Sequence, residues 1–404
     1  MKMETVIVIG GGASGILAAL TAAEDPKNRV LLLERQQRIG RKLLATGNGR
    51  CNLSNAGPLA GHYHGENPAF AGPALERFGP EAALDYFHEL GLLTVTEEGG
   101  RVYPLSNSAN SVLDVLRFAL DKAGVEQRCS CTVKNLRKEK QGFTVETETE
   151  RLHADKLILA CGGAAGAKLG GVTDGYQLAK ALGHKRTGLY PALVQLVTEA
   201  DYPRALKGVR VQCSLRLKRK AFLLARAAGE LQFTETGVSG PAVFDLSRAA
   251  STGGEGLSLH IALLPQSPGE LIGLLKARRA RYPELPASEI LTGMLHNRLG
   301  RMLVKYAGLS AAAPLSALSD GELEKLAASC ADFCLPVTGT EGFDNAQVTA
   351  GGLRSSDFDP RTLESRLVPG LIACGELLDI DGDCGGYNLQ WAWASGRLAG
   401  RLGK

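Results

Sequence analysis

Gly10-x-Gly12-x-x-Gly15, inside the stretch VIVIGGGASGILAAL, constrains this chain more than any other feature. The run from Thr5 to Ile9 reads as a buried strand, and a helix is predicted from about Ser14. The glycines lie across the junction. The first permits a tight turn, the second lets a pyrophosphate approach the backbone, and the third allows helix to pack closely on strand. A helix N-terminus offers unpaired N–H groups to such an anion. The next strand, RVLLLE, ends at Glu34, 19 residues beyond Gly15. An acid at that distance accepts hydrogen bonds from an adenosine ribose. Glutamate rather than arginine also suits an unphosphorylated ribose, as in FAD or NAD. Gly10, Gly12, Ala13, Ser14, Gly15, Glu34 and the adjoining Arg35 form this half of the candidate site.

The other end of the chain favours FAD. GLIACGELLDIDGDCGGYNLQWAWASGRLAG reads as an apolar strand, a Gly375-Glu376 step, a glycine-rich loop and a terminal helix from about Tyr387. An acid at the end of a strand can hold a ribitol hydroxyl. A helix starting at Gly386 can aim the N–H groups near Asn388 and Leu389 at the flavin edge that becomes anionic on reduction. An enzyme that used NAD alone would have no need of this second element.

Between these ends, GRKLLATGNGRCNLSN packs Arg41, Lys42, Asn48 and Arg50 around Gly40, Gly47 and Gly49. That is too much glycine and charge for a core helix. The two phosphates of FAD and the charge gained on flavin reduction would explain it.

Bulk properties narrow the alternatives. A chain of 404 residues suggests two domains or one with an insertion. Its net charge of +4, from 46 basic and 42 acidic residues, is too mild to predict a nucleic-acid or membrane partner. Nine cysteines without a CxxC motif point to reduced thiols in a cytoplasm and exclude a dithiol–disulfide mechanism. No His or Cys pairs stand at zinc spacing, so no metal is expected. The apolar run Val6–Ile9 is too short for a signal peptide, and no run approaches the roughly 18 residues of a membrane span.

Six segments taken together carry a resemblance: VIGGGASG, LLERQQRIGRKLLATGNGRCNLSN, GRVYPLSNSANSVLDVL, LILACGGAAGAKLGGVTDGY, FTETGVSGPAVFDLSR and GELLDIDGDCGGYNLQWAWASG. They span residues 6 to 400. The chain resembles the bacterial FAD-dependent oxidoreductases that include aminoacetone oxidase and the BaiN-type bile-acid flavin reductase. The resemblance implies that the loop after Glu34 wraps the pyrophosphate and flavin ring, bringing in Gly49 and Cys51. It implies that the backbone of Val133 meets the adenine and that Cys161 and Gly162 close over the cofactor. Where many relatives carry a histidine before the G-SGP turn, this chain has Glu235, so no role of that histidine carries over.

The expected fold is α/β: a Rossmann-like FAD domain of the two-dinucleotide-binding type, with an inserted β-barrel-like domain and a helical cap. The boundaries read as 1–189 with 345–404 for the FAD domain, 190–266 with 331–344 for the β part, and 267–330 for the cap. Gly162-Gly163-x-x-Gly166 follows a strand but lacks GxGxxG spacing and a later acid, so a second nucleotide domain is not expected. The basic run Arg216–Lys220 reads as a solvated edge face. For chemistry, Tyr103 and Tyr387 are the candidate proton donors. His62 and His64, in AGHYHGEN, read as a mobile surface loop. The leading reaction is NAD(P)H-linked reduction of an activated C=C bond in a small enone-like or steroid-like molecule. Amine or aminoketone oxidation by O2, and a flavin-bearing RNA-modification or regulatory protein, stand as alternatives. Oligomeric state is not legible.

Overall fold

The computed structural model describes residues 3–199 and 201–404. Five parallel strands form the central sheet: β1 (Glu4–Ile9), β2 (Asn28–Leu33), β3 (Glu126–Arg128), β4 (Lys156–Leu159) and β5 (Leu371–Ala373), in the order β5-β4-β1-β2-β3. Val6, Ile7 and Val8 are wholly buried. A sheet covered on both faces needs continuous apolar strands, which is why β1 reads VIVI rather than alternating. Helix α1 (Ala13–Ala22) follows β1, α2 is Ala109–Lys122, α3 is Asp174–Ala181, and α4 (Tyr387–Ala399) closes the chain. α4 crosses α1 at close range. A Cβ on Gly396 would stand 2.3 Å from Ser14 O, and one on Gly400 would stand 2.5 Å from Ala18 O.

The chain divides into two units, one running to Pro191 and resuming over Phe343–Lys404, the other Ala192–Gly342. The second holds a closed antiparallel barrel of six strands: Leu196–Thr198, Gly237–Ser239, Phe222–Phe233, Arg210–Arg219, Leu257–Ala262 and Phe333–Thr340. Alternation governs it. Cys213, Leu215 and Leu217 point inward, as do Leu257, Leu259 and Ile261. Helices Pro268–Arg281, Asn297–Tyr306 and Asp320–Ala331 share the same apolar core as the barrel. Two of them start with reciprocal caps, Ser267 with Glu270 and Ser319 with Glu322. The basic run at Arg216 is not on an edge, because its strand is paired on both sides. Its charges project outward, with Arg216 on Asp332 at 3.0 Å.

Candidate active site

The three motif glycines do different work. A Cβ on Gly10 would meet Ala160 O at 2.3 Å, and one on Gly15 would meet Gly10 O at 1.9 Å. Both are claimed by the protein's own backbone. Gly12, which caps α1, has nothing within 4 Å of where its Cβ would be. Glu34 extends from the end of β2 and accepts from Gly11 N at 2.8 Å and Gln36 N at 2.7 Å. Cys131 N donates to Glu34 O at 2.9 Å. That bond brings the strand opening at the buried Val133 beside the acid.

A second cluster joins segments far apart in sequence. Lys42 Nζ donates to Glu376 Oε2 at 2.7 Å, and Thr349 N donates to Glu376 Oε1 at 2.8 Å. Thr349 Oγ1 accepts from Ala165 N at 2.9 Å. Gly375 lies against α1, since a Cβ there would stand 2.4 Å from Ser14 Oγ. Gly162 has φ +71° and open space around it. The other loop cations are engaged locally. Arg41 donates to Gln36 at 2.8 Å and Arg35 to Gly170 O at 3.0 Å. Arg50 pairs with Glu97 at 2.5 Å and lies 3.9 Å from the Tyr103 ring centroid. Asn48 and Gly49 are exposed. Burial pushes the Tyr103 phenol up, against the pull of Arg101 and Arg50. Burial also pushes the Cys51 and Cys161 thiols up to about 12, which keeps them protonated at neutral pH.

α4 contributes more than its N-terminus. Gln390 and Ser395 are wholly buried polar residues. Gln390 accepts from Ser54 Oγ at 2.7 Å and donates to Phe78 O at 2.7 Å. Trp393 Nε1 donates to Leu53 O at 2.9 Å, Trp391 Nε1 to Gly375 O at 3.1 Å, and Gly375 N to Ser395 Oγ at 3.0 Å. Gln390 and Trp393 thus fix the segment at Leu53 and Ser54, while Trp391 and Ser395, on another side of the helix, fix Gly375. The sequence reading missed these four residues, although two polar side chains inside an apolar helical run were a signal of buried work. Asn388 grips Gly382, accepting from its N at 2.8 Å and donating to its O at 2.6 Å. Gly386 takes φ +103°, and a Cβ there would stand 2.2 Å from Ser54 O.

His62 and His64 are anchored, contrary to the expectation of a mobile loop. Tyr63–His64 pairs antiparallel with Asp381–Gly382. His62 Nδ1 lies 2.9 Å from Asp383 Oδ2, and His64 Nε2 lies 2.6 Å from Oδ1. Burial of Asp383 would raise its carboxyl, but the bonds to His64 and His62 outweigh this and hold it below the usual range. The His62 ring stacks on Tyr387 at 4.2 Å. Elsewhere, Tyr176, Lys180, Lys185, Arg186 and Arg354 line a cavity of about 530 Å³. Among the described residues no group of three His, Cys, Asp or Glu is placed to hold a metal ion. None of their helices is long and apolar enough to cross a membrane.

The HI0933-like protein Rossmann domain matches residues 4–402. The chain belongs to that family. It is 41% identical over 99% of its length, and 98% of the relative's, to the 3-dehydro-bile acid delta(4,6)-reductase of Clostridium scindens. It is 32% identical to the ribosomal RNA dihydrouridine synthase of Escherichia coli, over 98% of this chain and 96% of that one. Among solved structures it resembles the 3-ketosteroid delta1-dehydrogenase of Sterolibacterium denitrificans, with a TM-score of 0.51, 13% identity and 99% of both chains covered. The protein is an FAD-dependent oxidoreductase with a Rossmann-like sheet and a closed barrel. The residues present fit FAD. Gly12 opens onto space that a side chain would fill, at the start of a helix with no acidic residue in its first turn.

Proposed function

We propose that the protein is an NAD(P)H-dependent reductase that saturates a carbon–carbon double bond conjugated to a carbonyl, in a steroid-like enone. The observation that carries this reading is the full-length likeness to a reductase named for the Δ4,6 bonds of a 3-dehydro bile acid. A 3-ketone with double bonds at C4 and C6 is a conjugated dienone, electrophilic at the carbons remote from oxygen. Dihydrouridine, in the name of the second relative, is uridine saturated at C5=C6, a bond conjugated to the C4 carbonyl. Both names describe the same reaction class.

Bound FAD would supply hydride transfer. The chain's residues bind and orient. Gly12 and the N-terminus of α1 would receive the pyrophosphate. Glu34 would hold the adenosine ribose while its other contacts fix its rotamer, and the Val133 backbone would meet the adenine. Glu376, held by Lys42 and Thr349, would accept from a ribitol hydroxyl. The N-terminus of α4, from Gly386 through Leu389, would set its dipole against negative charge on the ring. Protonated Cys51 and Cys161 leave thiol chemistry out of the cycle.

A second reading, uridine in RNA as substrate, is favoured by one feature. Lys180, Lys185 and Arg186 line the 530 Å³ cavity, and none of them is ion-paired with a carboxylate among the described residues. One experiment separates the readings. The flavin is bleached anaerobically with NADPH, then mixed with a 3-oxo-4,6-diene bile acid, with ribosomal RNA, or with an amine and O2. Recovery of flavin absorbance with the dienone alone is the expected result. Recovery with RNA alone moves the substrate class to RNA. Peroxide formation with the amine makes the protein an oxidase and overturns the reductase reading.

A further inference from the structure

Saturating an enone requires a proton as well as a hydride. We propose that His62 delivers this proton, with Asp383 and His64 as the positioning residues of a His–Asp–His relay beside α4. The inference rests on the reductase reading above.

The geometry is specific. An ionised carboxylate can only accept, so His62 Nδ1 and His64 Nε2 both carry hydrogen toward Asp383, at 2.9 and 2.6 Å. The tautomer of His62 is thereby fixed, and Nε2 becomes the atom that exchanges a proton. The backbone enforces the arrangement. Tyr63–His64 pairs with Asp381–Gly382, and Asp383 N donates to His62 O at 3.0 Å. His62 lies flat on Tyr387, the first residue of α4, with the Tyr63 hydroxyl donating to Tyr387 O at 3.0 Å. Its side chain is 36% exposed, so water can restore the proton. Other titratable groups nearby are Tyr63 and Tyr387, Asp379, Asp381 and Cys384 on the Asp383 segment, and Glu66, whose N donates to Asp379.

In the step, an N–H bond of the His62 imidazolium breaks and a C–H bond forms at the carbon next to the carbonyl. The imidazolium's positive charge and the enolate's negative charge cancel. Both electrons arrive with the hydride from reduced flavin, and His62 takes its next proton from water. Asp383 accepts from Nδ1 and holds the ring in place. His64 holds the other carboxylate oxygen and prevents Asp383 from rotating.

The test uses holoenzyme reduced photochemically and mixed with a 3-oxo-4,6-diene bile acid across the imidazole range, about pH 5.5 to 9. The wild-type reoxidation rate should fall as pH rises through the imidazole pKa. His62→Gln, with normal flavin content, should slow the step by about 10²-fold and remove that pH dependence. Asp383→Asn should move the fall to lower pH. Independently of turnover, the imidazole N–H hydrogens of His62 and His64, followed by NMR in the resting protein, should exchange with solvent faster in Asp383→Asn. A wild-type rate and profile in His62→Gln overturns the relay while leaving the reductase reading intact. So do imidazole N–H exchange rates unmoved by Asp383→Asn. A wild-type enzyme that no enone reoxidises overturns the reductase reading, and the relay with it.

Discussion

The nucleotide unit and the barrel unit are built on opposite principles. In the barrel, side chains define the structure: Leu215, Leu217, Leu259 and Ile261 fill the interior while their neighbours along each strand face outward. In the nucleotide unit, the absence of side chains defines it. Added Cβ atoms at Gly10, Gly15, Gly386 and Gly396 would fall between 1.9 and 2.3 Å from backbone oxygens. Backbone packs on backbone there, because a dinucleotide must lie along strand ends and helix termini at van der Waals distance. The difference teaches where each unit can tolerate change. A barrel position can shrink at a known cost. A glycine packed on backbone in the nucleotide unit cannot grow.

Glycine substitutions give the largest effects and break the comparison most directly. Gly15→Ala and Gly396→Val should yield no soluble folded protein, since rigid backbone stands in the way and the cost exceeds the roughly 1–3 kcal/mol of ordinary overpacking. Gly12→Val should fold, melt normally in the apo form, and bind no FAD. Soluble yield, apoprotein melting and flavin content separate the two outcomes. A yellow Gly12→Val protein would remove the pyrophosphate from this turn.

In the barrel, Leu259→Ala should cost about 2–5 kcal/mol by denaturant titration and leave flavin stoichiometry at one. Loss of flavin at equal stability would show that the two principles are not separable.

Lys42→Met comes next. From the sequence alone, this substitution is expected to lower the flavin potential while sparing the apoprotein. The ion pair with Glu376 changes that expectation, because Lys42 already balances an acid whose side chain is only 19% exposed. Stripping one partner should destabilise the apoprotein by about 1–2 kcal/mol, less than a fully buried pair because both ends keep some solvent. Adding Glu376→Gln should recover part of it. An unchanged apoprotein melt for Lys42→Met would return the lysine to a purely electrostatic role toward the flavin.

A smaller effect concerns pH. Asp383 has a depressed folded-state pKa. Its contribution is present above the unfolded carboxyl value of about 4 and is lost as pH falls through the lower folded value. Stability of Asp383→Asn should therefore fall less steeply than wild type below about pH 4. Identical acid limbs in urea titrations would refute the coupling. The smallest change is expected at Glu235, exposed and paired with Lys207 at 2.8 Å. Glu235→Gln should leave the melting temperature unmoved.

What was legible in the sequence follows from range. Gly10, Gly12, Gly15 and Glu34 act within one strand–turn–helix–strand unit, so spacing alone reveals them. The parallel sheet, the terminal helix from Tyr387 and the strand alternation after Tyr190 were readable for the same reason. Lys42 and Glu376 meet across 334 positions, Ser54 and Gln390 across 336, and His64 and Asp383 across 319. Periodicity reports which face of an element is buried and carries no information on which distant residue covers it. So Arg41 and Lys42 read as alike in sequence, while the fold gives one a glutamine and the other a partly buried acid. The histidines, in a glycine-flanked polar stretch, looked mobile because the strand that anchors them lies at the other end of the chain.

The crossing of α1 and α4 also fixes an order of events during synthesis. α1 is made before every barrel strand and α4 after all of them. The glycines that seat α4 on Ser14 and Ala18 are therefore added only once the whole barrel sequence has been made. Until then the nascent nucleotide sheet has one flank open, and its central strands need protection from mispairing. Cofactor loading belongs after α4 has been made. A stalled ribosome that withholds only the last turns of α4 would leave a chain whose barrel is complete and whose α1 has no partner to cross it.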